Sequence, residues 1–416
     1  MENENFRKII RLMEEGIKRL PKPIRDRVSP ELEKIKEMMI DNRPPRVLII
    51  GRRGAGKSSL INAIFNERVA SVGPVFSETG ESQWHYFKSS HGTLEMLDTR
   101  GIGDRTKPGS ANFEESIDDV KYAVAEKCPD VLLFLCKAKE VDAHIGKDLE
   151  YVAQIRQFIV EKHGYEVPVA ALATQVDELD PKRVEPPYEN DEKQSNIREA
   201  VRALQDSFSA SRINLLKVIP ISTYAEYSNG SKSYDNNWHV GELIEYLMEV
   251  LPRSTQLHLA RLSRLNVVQK KFARLLVGST ATVCSGLAAT PIPVADIIPI
   301  TTAQIGMISG IGYISGRELS KENAKEFLVA LGVNVGTAFV LREAARALVK
   351  FVFPGAGNVI SASMAFAGTW GIGEAAIAYF IDNASVEESK SCFKRAHDRI
   401  ADEDSDFEGP LEPEPC

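Results

Sequence analysis

Apolar positions along the 416-residue chain change their period twice, and the changes mark out its regions. Phe6, Ile10, Met13, Ile17 and Leu20 recur every three or four residues, the spacing of a helix with one apolar face. Lys8, Arg11, Lys18 and Arg19 fall opposite. Pro21 and Pro23 end this helix. Ser29-Pro30 then predicts an N-cap and first helical position for a second helix with Leu32, Ile35 and Met39 as its stripe. The pair is expected to pack on the domain that follows; its amphipathic pattern also fits a helix lying on a membrane surface.

From Arg46 the period becomes that of an α/β protein. Short apolar runs at 46–50, 94–98, 131–136, 167–173 and 216–221 alternate with helical stretches, which predicts a mainly parallel sheet covered on both faces. Residues 83–88 alternate polar and apolar and are placed as an antiparallel edge strand. A helix from about His239 to Leu251 closes the region before Pro252.

Beyond Pro252 the pattern changes again. His258 to Arg274 is basic and helical, residues 275–295 carry no charge, Asp296 interrupts, and residues 297–316 carry none either. Each run approaches the ~20 apolar residues that span a bilayer. Both are rich in Gly, Ser and Thr, and Pro291, Pro293 and Pro299 break them. A second apolar region, 351–381, is interrupted by Glu374. Two readings fit: a bundle packed closely through small residues, or a re-entrant or membrane-inserted hairpin. The basic stretch beside the charge-free runs tilts the balance toward membrane association. The organisation expected is an N-terminal helical segment over 1–44, an α/β domain over 45–252, a C-terminal all-α domain over 253–400 and an acidic, disordered tail over 401–416. Residues 181–195, with Pro181, Pro186, Pro187, Glu189, Asp191 and Glu192, read as a solvated surface insertion.

Composition changes this picture little. Hydrophobic residues at 43% and charged residues at 26% are ordinary for a folded protein, and a net charge of −7 gives no reason to expect nucleic acid as a partner. The five cysteines are scattered, with no C-x-x-C pair, which suits a reducing cytosol rather than a disulfide or zinc framework. Met1-Glu2-Asn3-Glu4-Asn5 lacks the basic-then-apolar order of a signal peptide, so a cytoplasmic location is expected.

The chemistry concentrates at the ends of the apolar runs. Gly51, Gly56, Lys57 and Ser58 fit the spacing G-x-x-x-x-G-K-[ST], after an apolar strand and before a helix. In that pattern Gly51, Arg52, Arg53, Gly54, Ala55, Gly56, Lys57, Ser58 and Ser59 wrap phosphates with backbone N–H groups. Lys57 reaches the β- and γ-phosphates and the Ser58 hydroxyl holds Mg²⁺. Asp98 and Gly101 fit D-x-x-G after the next strand; Asp98 would hold Mg²⁺ through water and the Gly101 N–H would sense the γ-phosphate. Thr174, Gln175 and Asp177 follow another strand, and the Asp177 carboxylate can accept from N1 and N2 of guanine, a donor pair that adenine lacks. Ser222 and Thr223 end the last strand, where a backbone N–H can meet guanine O6.

With these motifs in order, residues 46–252 resemble the Era-like and dynamin-like GTPases, most clearly over Gly56-Lys57-Ser58-Ser59-Leu60-Ile61-Asn62-Ala63-Ile64-Phe65. The resemblance implies a P-loop GTPase fold that binds GTP or GDP with Mg²⁺, hydrolyses GTP, and switches the position of helical domains. A tether or scaffold with negligible hydrolysis is the alternative. It places the Mg²⁺-capping threonine on Thr79. The chain also departs from the family. Gln175 stands where a lysine packs on the base, Arg100 where proline is common, Gly54 where potassium-activated relatives carry asparagine, and Ile102 where a Ras-like protein carries the water-orienting glutamine. An apolar residue cannot orient water. Related GTPases often pair through their nucleotide faces, which makes a homodimer a candidate partner and Arg53 the first candidate for an arginine acting at the phosphates. Residues 256–385 are similar to the YcjF-like helical domain of unknown function. That likeness lies in Pro291-Ile292-Pro293-Val294-Ala295-Asp296, Gln304-Ile305-Gly306-Met307-Ile308, Val349-Lys350-Phe351, Pro354-Gly355-Ala356-Gly357 and Gly368-Thr369.

Overall fold

The computed structural model describes residues 2–70, 83–89, 92–98, 113–141, 145–211, 213–228, 231–289, 292–293, 298–318, 321–331 and 359–402. The chain divides into two compact units, residues 44–252 and residues 1–43 with 253–416.

The first unit is built on a six-stranded sheet. Its strands are β1 (Arg46–Gly51), β2 (Gln83–Lys88), β3 (Thr93–Asp98), β4 (Val131–Lys137), β5 (Val169–Thr174) and β6 (Leu215–Ile221), in the order β2-β3-β1-β4-β5-β6. All pairings are parallel except β2 with β3, so the alternating segment is the antiparallel edge strand, as expected. Continuous apolar runs such as Val47-Leu48-Ile49-Ile50 are what a strand buried on both faces requires. Leu48, Ile50, Leu132, Phe134, Val169 and Ala171 share one core with helices α4 (Phe113–Glu126), α5 (Ile145–His163) and α6 (Asp191–Ala210). Alternation turns Val47, Ile49, Leu133 and Leu172 to the other face. Helices α3 (Lys57–Phe65) and α7 (Val240–Val250) pack against each other, burying Leu60, Ile64, Leu243 and Leu247. A hairpin absent from the sequence reading, β7 (Ala225–Ser228) and β8 (Ser231–Asp235), follows the last strand of the sheet.

The second unit is helical: α1 (Glu2–Lys18), α2 (Lys22–Met39), α8 (Arg253–Ser263), α9 (Asn266–Ala288), α10 (Ile298–Ile314), α11 (Lys321–Ala330), α12 (Ala362–Phe380) and α13 (Val386–Asp402). The N-terminal pair packs on the C-terminal helices, α1 on α10 and α2 on α8 and α9, and belongs to their unit rather than to the α/β domain next in sequence. Helix α2 also begins earlier than Ser29. Pro23 sits in its first turn, where a missing N–H costs nothing, and the helix runs on through Pro30. There the Ser29 hydroxyl donates to the Arg25 carbonyl at 2.8 Å instead of capping a new helix.

The charge-free runs form α9 and α10. Helix α10 is buried nearly all round, from Ile300 to Ile314, among α1, α9, α11 and α12. Glycines allow the close approach: a Cβ on Gly286 would overlap Val28, and one on Gly373 would overlap Val277. Inside the bundle Gln304 donates to the Thr369 hydroxyl at 2.9 Å, and Arg274 on α9 grips Glu374 on α12 at 2.9 and 3.1 Å. Among the described residues no helix is long and apolar enough to cross a membrane. The described residues of both runs pack against neighbouring helices of the unit. The expected tail lies outside the described residues apart from Ala401 and Asp402, which end α13.

Candidate functional site

The described motif residues gather at the carboxyl edge of the sheet, because each stands at or just beyond the last residue of its strand. The register sets Ile49 beside Asp98, Gly51 beside Leu135, Lys137 beside Thr174 and Thr174 beside Ile221. Open α/β sheets bind ligands at this edge. Gly51 has to be glycine, since a Cβ there would stand 2.8 Å from the Leu135 carbonyl.

Beyond it the chain turns tightly, with Ala55 N–H donating to the Arg52 carbonyl at 3.1 Å. Gly54 and Gly56 adopt φ of 76° and 91°, which side chains rarely tolerate, and Gly56 caps α3. The first N–H groups of α3, from Lys57 to Ser59, have no acceptor within the helix and lie at its positive end. The Lys57 ammonium donates to the Gly51 carbonyl at 3.1 Å, so it is folded over the loop. A Cβ on Gly56 would meet only the Thr223 hydroxyl, at 3.9 Å, so the two ends of the site come close here. This cradle fits a phosphate chain. Mg²⁺ takes hard oxygen donors alongside waters and phosphate oxygens, and the Ser58 hydroxyl at the start of α3 is a donor of that kind. Among the described residues no cluster of three His, Cys, Asp or Glu could hold a metal by itself.

Arg52 and Arg53 have different surroundings. Arg52 is bound bidentately by Asp148 of α5, at 2.7 and 3.2 Å, and Asp148 is buried. The hydrogen bond to Asp148 raises the pKa of Arg52 further. Arg53 is exposed. Sequence reading missed Asp148; its one signal is an acidic residue on the inward face of an amphipathic helix. It also missed Asn62, a polar residue in the apolar run Leu60-Ile61-Asn62-Ala63. The Asn62 side chain accepts from Val69 and Ala70 N–H at 2.9 and 2.7 Å and donates to the Ala70 carbonyl at 3.0 Å. It thereby fixes the chain that leads toward Thr79.

At the other end, the β5 turn continues into a short 3-10 segment, Val176–Glu178. Thr174 is buried, its hydroxyl donating to the Cys136 carbonyl at 3.3 Å. Gln175 takes a left-handed φ of 58°, and its amide donates to the Gly54 carbonyl at 2.6 Å, tying this turn to the phosphate loop. The Asp177 carboxylate accepts from the Ser222 hydroxyl at 2.9 Å. Ser222 is fully buried, and its main chain pairs both ways with Trp238. Residues 181–195 are largely exposed, as a surface insertion should be, but two of them are anchors: Tyr188 and Lys193 have no exposed surface, and Lys193 donates to carbonyls of the Asp177 turn. Burial pushes the Tyr188 phenol up to about 12, with Ser222 and Asn236 opposing it, and lowers the pKa of Lys193. An open groove of about 490 Å³, lined by Arg198, Arg202, Pro220, Trp238 and His239 among others, holds none of the predicted nucleotide residues. The Asp98 side chain, Thr79, Arg100, Gly101 and Ile102 lie outside what the structure describes.

Residues 46–165 match the model of the 50S ribosome-binding GTPase family. Sheet order, glycine loop and family match together define a P-loop GTPase domain. The chain is similar to GTPase Der of Campylobacter hominis, 33% identical over 109 residues that cover 26% of this chain and 23% of Der. It is also similar to GTPase Era of a Thermoanaerobacter species, 25% identical over 214 residues that cover 51% of this chain and 64% of Era. The chain thus spans less than two thirds of the length of either relative. Among solved structures, Toc33 from Arabidopsis thaliana in complex with Mg²⁺ and GMPPNP aligns with 56% of this chain and 95% of its own, at 18% identity and a TM-score of 0.34.

Proposed function

We propose that the chain binds GTP and GDP and hydrolyses GTP with Mg²⁺, acting as a nucleotide-dependent switch. One observation carries this reading: a glycine cradle and a carboxylate held by Ser222 stand at two ends of one sheet edge, tied together by Gln175 and Gly54. The loop from Gly51 to Ser59 binds the phosphates, Lys57 follows the charge on the leaving phosphoryl oxygens, and Asp177 accepts from guanine N1 and N2. Ser222 orients that carboxylate, and Thr223 closes the space above Gly56. Ser58, Asp98 and Thr79 are the residues that would hold Mg²⁺, which when bound offsets charge between the β- and γ-phosphates. Gly101 completes the phosphate end.

Ile102 cannot orient the attacking water, so turnover by one molecule alone is slow, and a second copy meeting the nucleotide face through Arg53 raises it. The alternative, a tether that binds GTP with negligible turnover, rests on the same isoleucine. The helical unit is the part such a switch would reposition, and its YcjF-like likeness and any membrane contact belong to this proposal. Equilibrium titration with GTP, GDP and ATP, followed by phosphate release over a protein dilution series, tests it. Expected are selective binding of guanine nucleotides and specific activity that rises with concentration and is flattened by Arg53→Ala. Equal affinity for ATP removes the guanine reading, and binding without measurable release at any concentration leaves the tether.

A further inference from the structure

Lysine rarely gives up all its exposure, because a long aliphatic stem lets the ammonium reach water. Lys193 has no exposed surface. Its Nζ donates to the main-chain carbonyl of Asp177 at 2.9 Å and to that of Leu179 at 2.5 Å, bracketing the short 3-10 turn. The same Nζ lies 5.0 Å from the centroid of the Tyr188 ring. Tyr188 meets Trp238 edge-on at 5.0 Å, and Trp238 pairs with the main chain of Ser222, whose hydroxyl holds the Asp177 carboxylate. The lysine is itself placed by the start of α6, where the Asn190 side chain accepts from its backbone N–H at 3.0 Å. Desolvation lowers its pKa, with the charges of Asp177 and Asp180 acting against that. A buried cation is unfavourable without partners. Here two carbonyls and an aromatic face supply them, and both carbonyls belong to the turn that presents Asp177.

We infer that Lys193 is a positioning residue that fixes the Asp177 turn and so sets discrimination for the 2-amino group of guanine. The inference rests on the reading of Asp177 as the guanine acceptor. Asp177 is then held twice, at its main chain by Lys193 and at its carboxylate by Ser222. If the turn loosens, the carboxylate no longer meets two donors at once. Inosine triphosphate, which lacks the 2-amino group, loses less than GTP.

The test uses the full chain with Mg²⁺, titrating GTP, inosine triphosphate and ATP against Lys193→Met and Lys193→Gln, with thermal melts alongside. In Lys193→Met the preference for GTP over inosine triphosphate should fall about tenfold, the worth of one charge-assisted hydrogen bond. Lys193→Gln, too short to span both carbonyls, should show the same loss in smaller degree. An unchanged ratio, or equal weakening of both nucleotides, overturns the inference and leaves Lys193 as support for the fold alone. Should Lys193→Met fail to fold, an unchanged ratio in Lys193→Gln overturns it by itself. A wild-type protein without preference for GTP removes the guanine reading first. A selective wild type with insensitive variants removes only the role of Lys193.

Discussion

Two buried charges, one in each unit, sit where local composition points the other way. Lys193 lies in a polar, proline-rich stretch and is fully buried, held by neutral carbonyls and a ring. Glu374 interrupts an apolar region and is 3% exposed, held by the opposite charge of Arg274. The difference shows that neighbours brought from elsewhere in the fold decide whether a charge is buried. It also separates two roles. Glu374 pins one helix against another, while Lys193 braces a turn at the proposed binding site.

The largest effect should come from breaking the ion pair. Arg274→Ala strands the Glu374 carboxylate in the bundle and should lower stability by about 3–5 kcal/mol in urea denaturation. The double variant Arg274→Met, Glu374→Leu should recover most or all of that, because neither charge then has to be desolvated. Failure of the double variant to recover would give the pair a part beyond helix register.

On the other side of the comparison, Asp177→Asn replaces one acceptor with a donor. GTP affinity should drop by roughly 1.5–3 kcal/mol and xanthosine triphosphate should gain. An unchanged GTP titration would remove Asp177 from the base site and leave Lys193 with only a structural duty.

A smaller effect separates pairing from plain burial within the helical unit. His258, 3.1 Å from the Asn42 side chain, is pushed down to about 4, first by desolvation and then by Arg261. Its folded pKa lies below the unfolded value, so the unfolded chain binds the extra proton as pH falls. Stability is therefore complete above about pH 6.5 and declines between there and about pH 4. Going from pH 7 to pH 5 should cost about 2 kcal/mol. His258→Gln should flatten thermal melts over this range, and an unaltered slope would place the acid sensitivity elsewhere.

The smallest effect is expected for Tyr188→Phe. The hydroxyl lies near the side chains of Ser222 and Asn236 but closes no hydrogen bond of good geometry, while the ring faces Lys193 and Trp238. Stability and GTP preference should each move by no more than about 0.5 kcal/mol. A larger drop would mean that the hydroxyl, rather than the ring, supports the turn.

Parallel strands and the phosphate loop were legible because their information is contiguous. Val47 to Gly51 and Val131 to Leu135 are apolar without interruption, and nine consecutive residues from Gly51 make the cradle. The base end was legible only as far as Asp177 and Ser222. Tyr188 and Lys193 reach it from one segment and Trp238 from another, and no spacing rule links them. Asp148 and Asn62 look like ordinary helix residues until the sheet shows what they face. The charge-free runs left two readings open for another reason: hydropathy records that a helix avoids water, without telling lipid from protein. Ile311 has no exposed surface inside the bundle, and nothing in its hydropathy says which kind of apolar surroundings it has.

The hydrogen bond from Gln175 to the Gly54 carbonyl has a thermodynamic meaning as well as a geometric one. Two loops joined in this way share one loss of conformational freedom, so a ligand fragment that orders either loop has already ordered part of the other. Pyrophosphate and guanosine, offered as separate molecules, should then bind with positive cooperativity. The recognition of base and of phosphate would be linked through the protein even where no covalent bond joins them in the ligand.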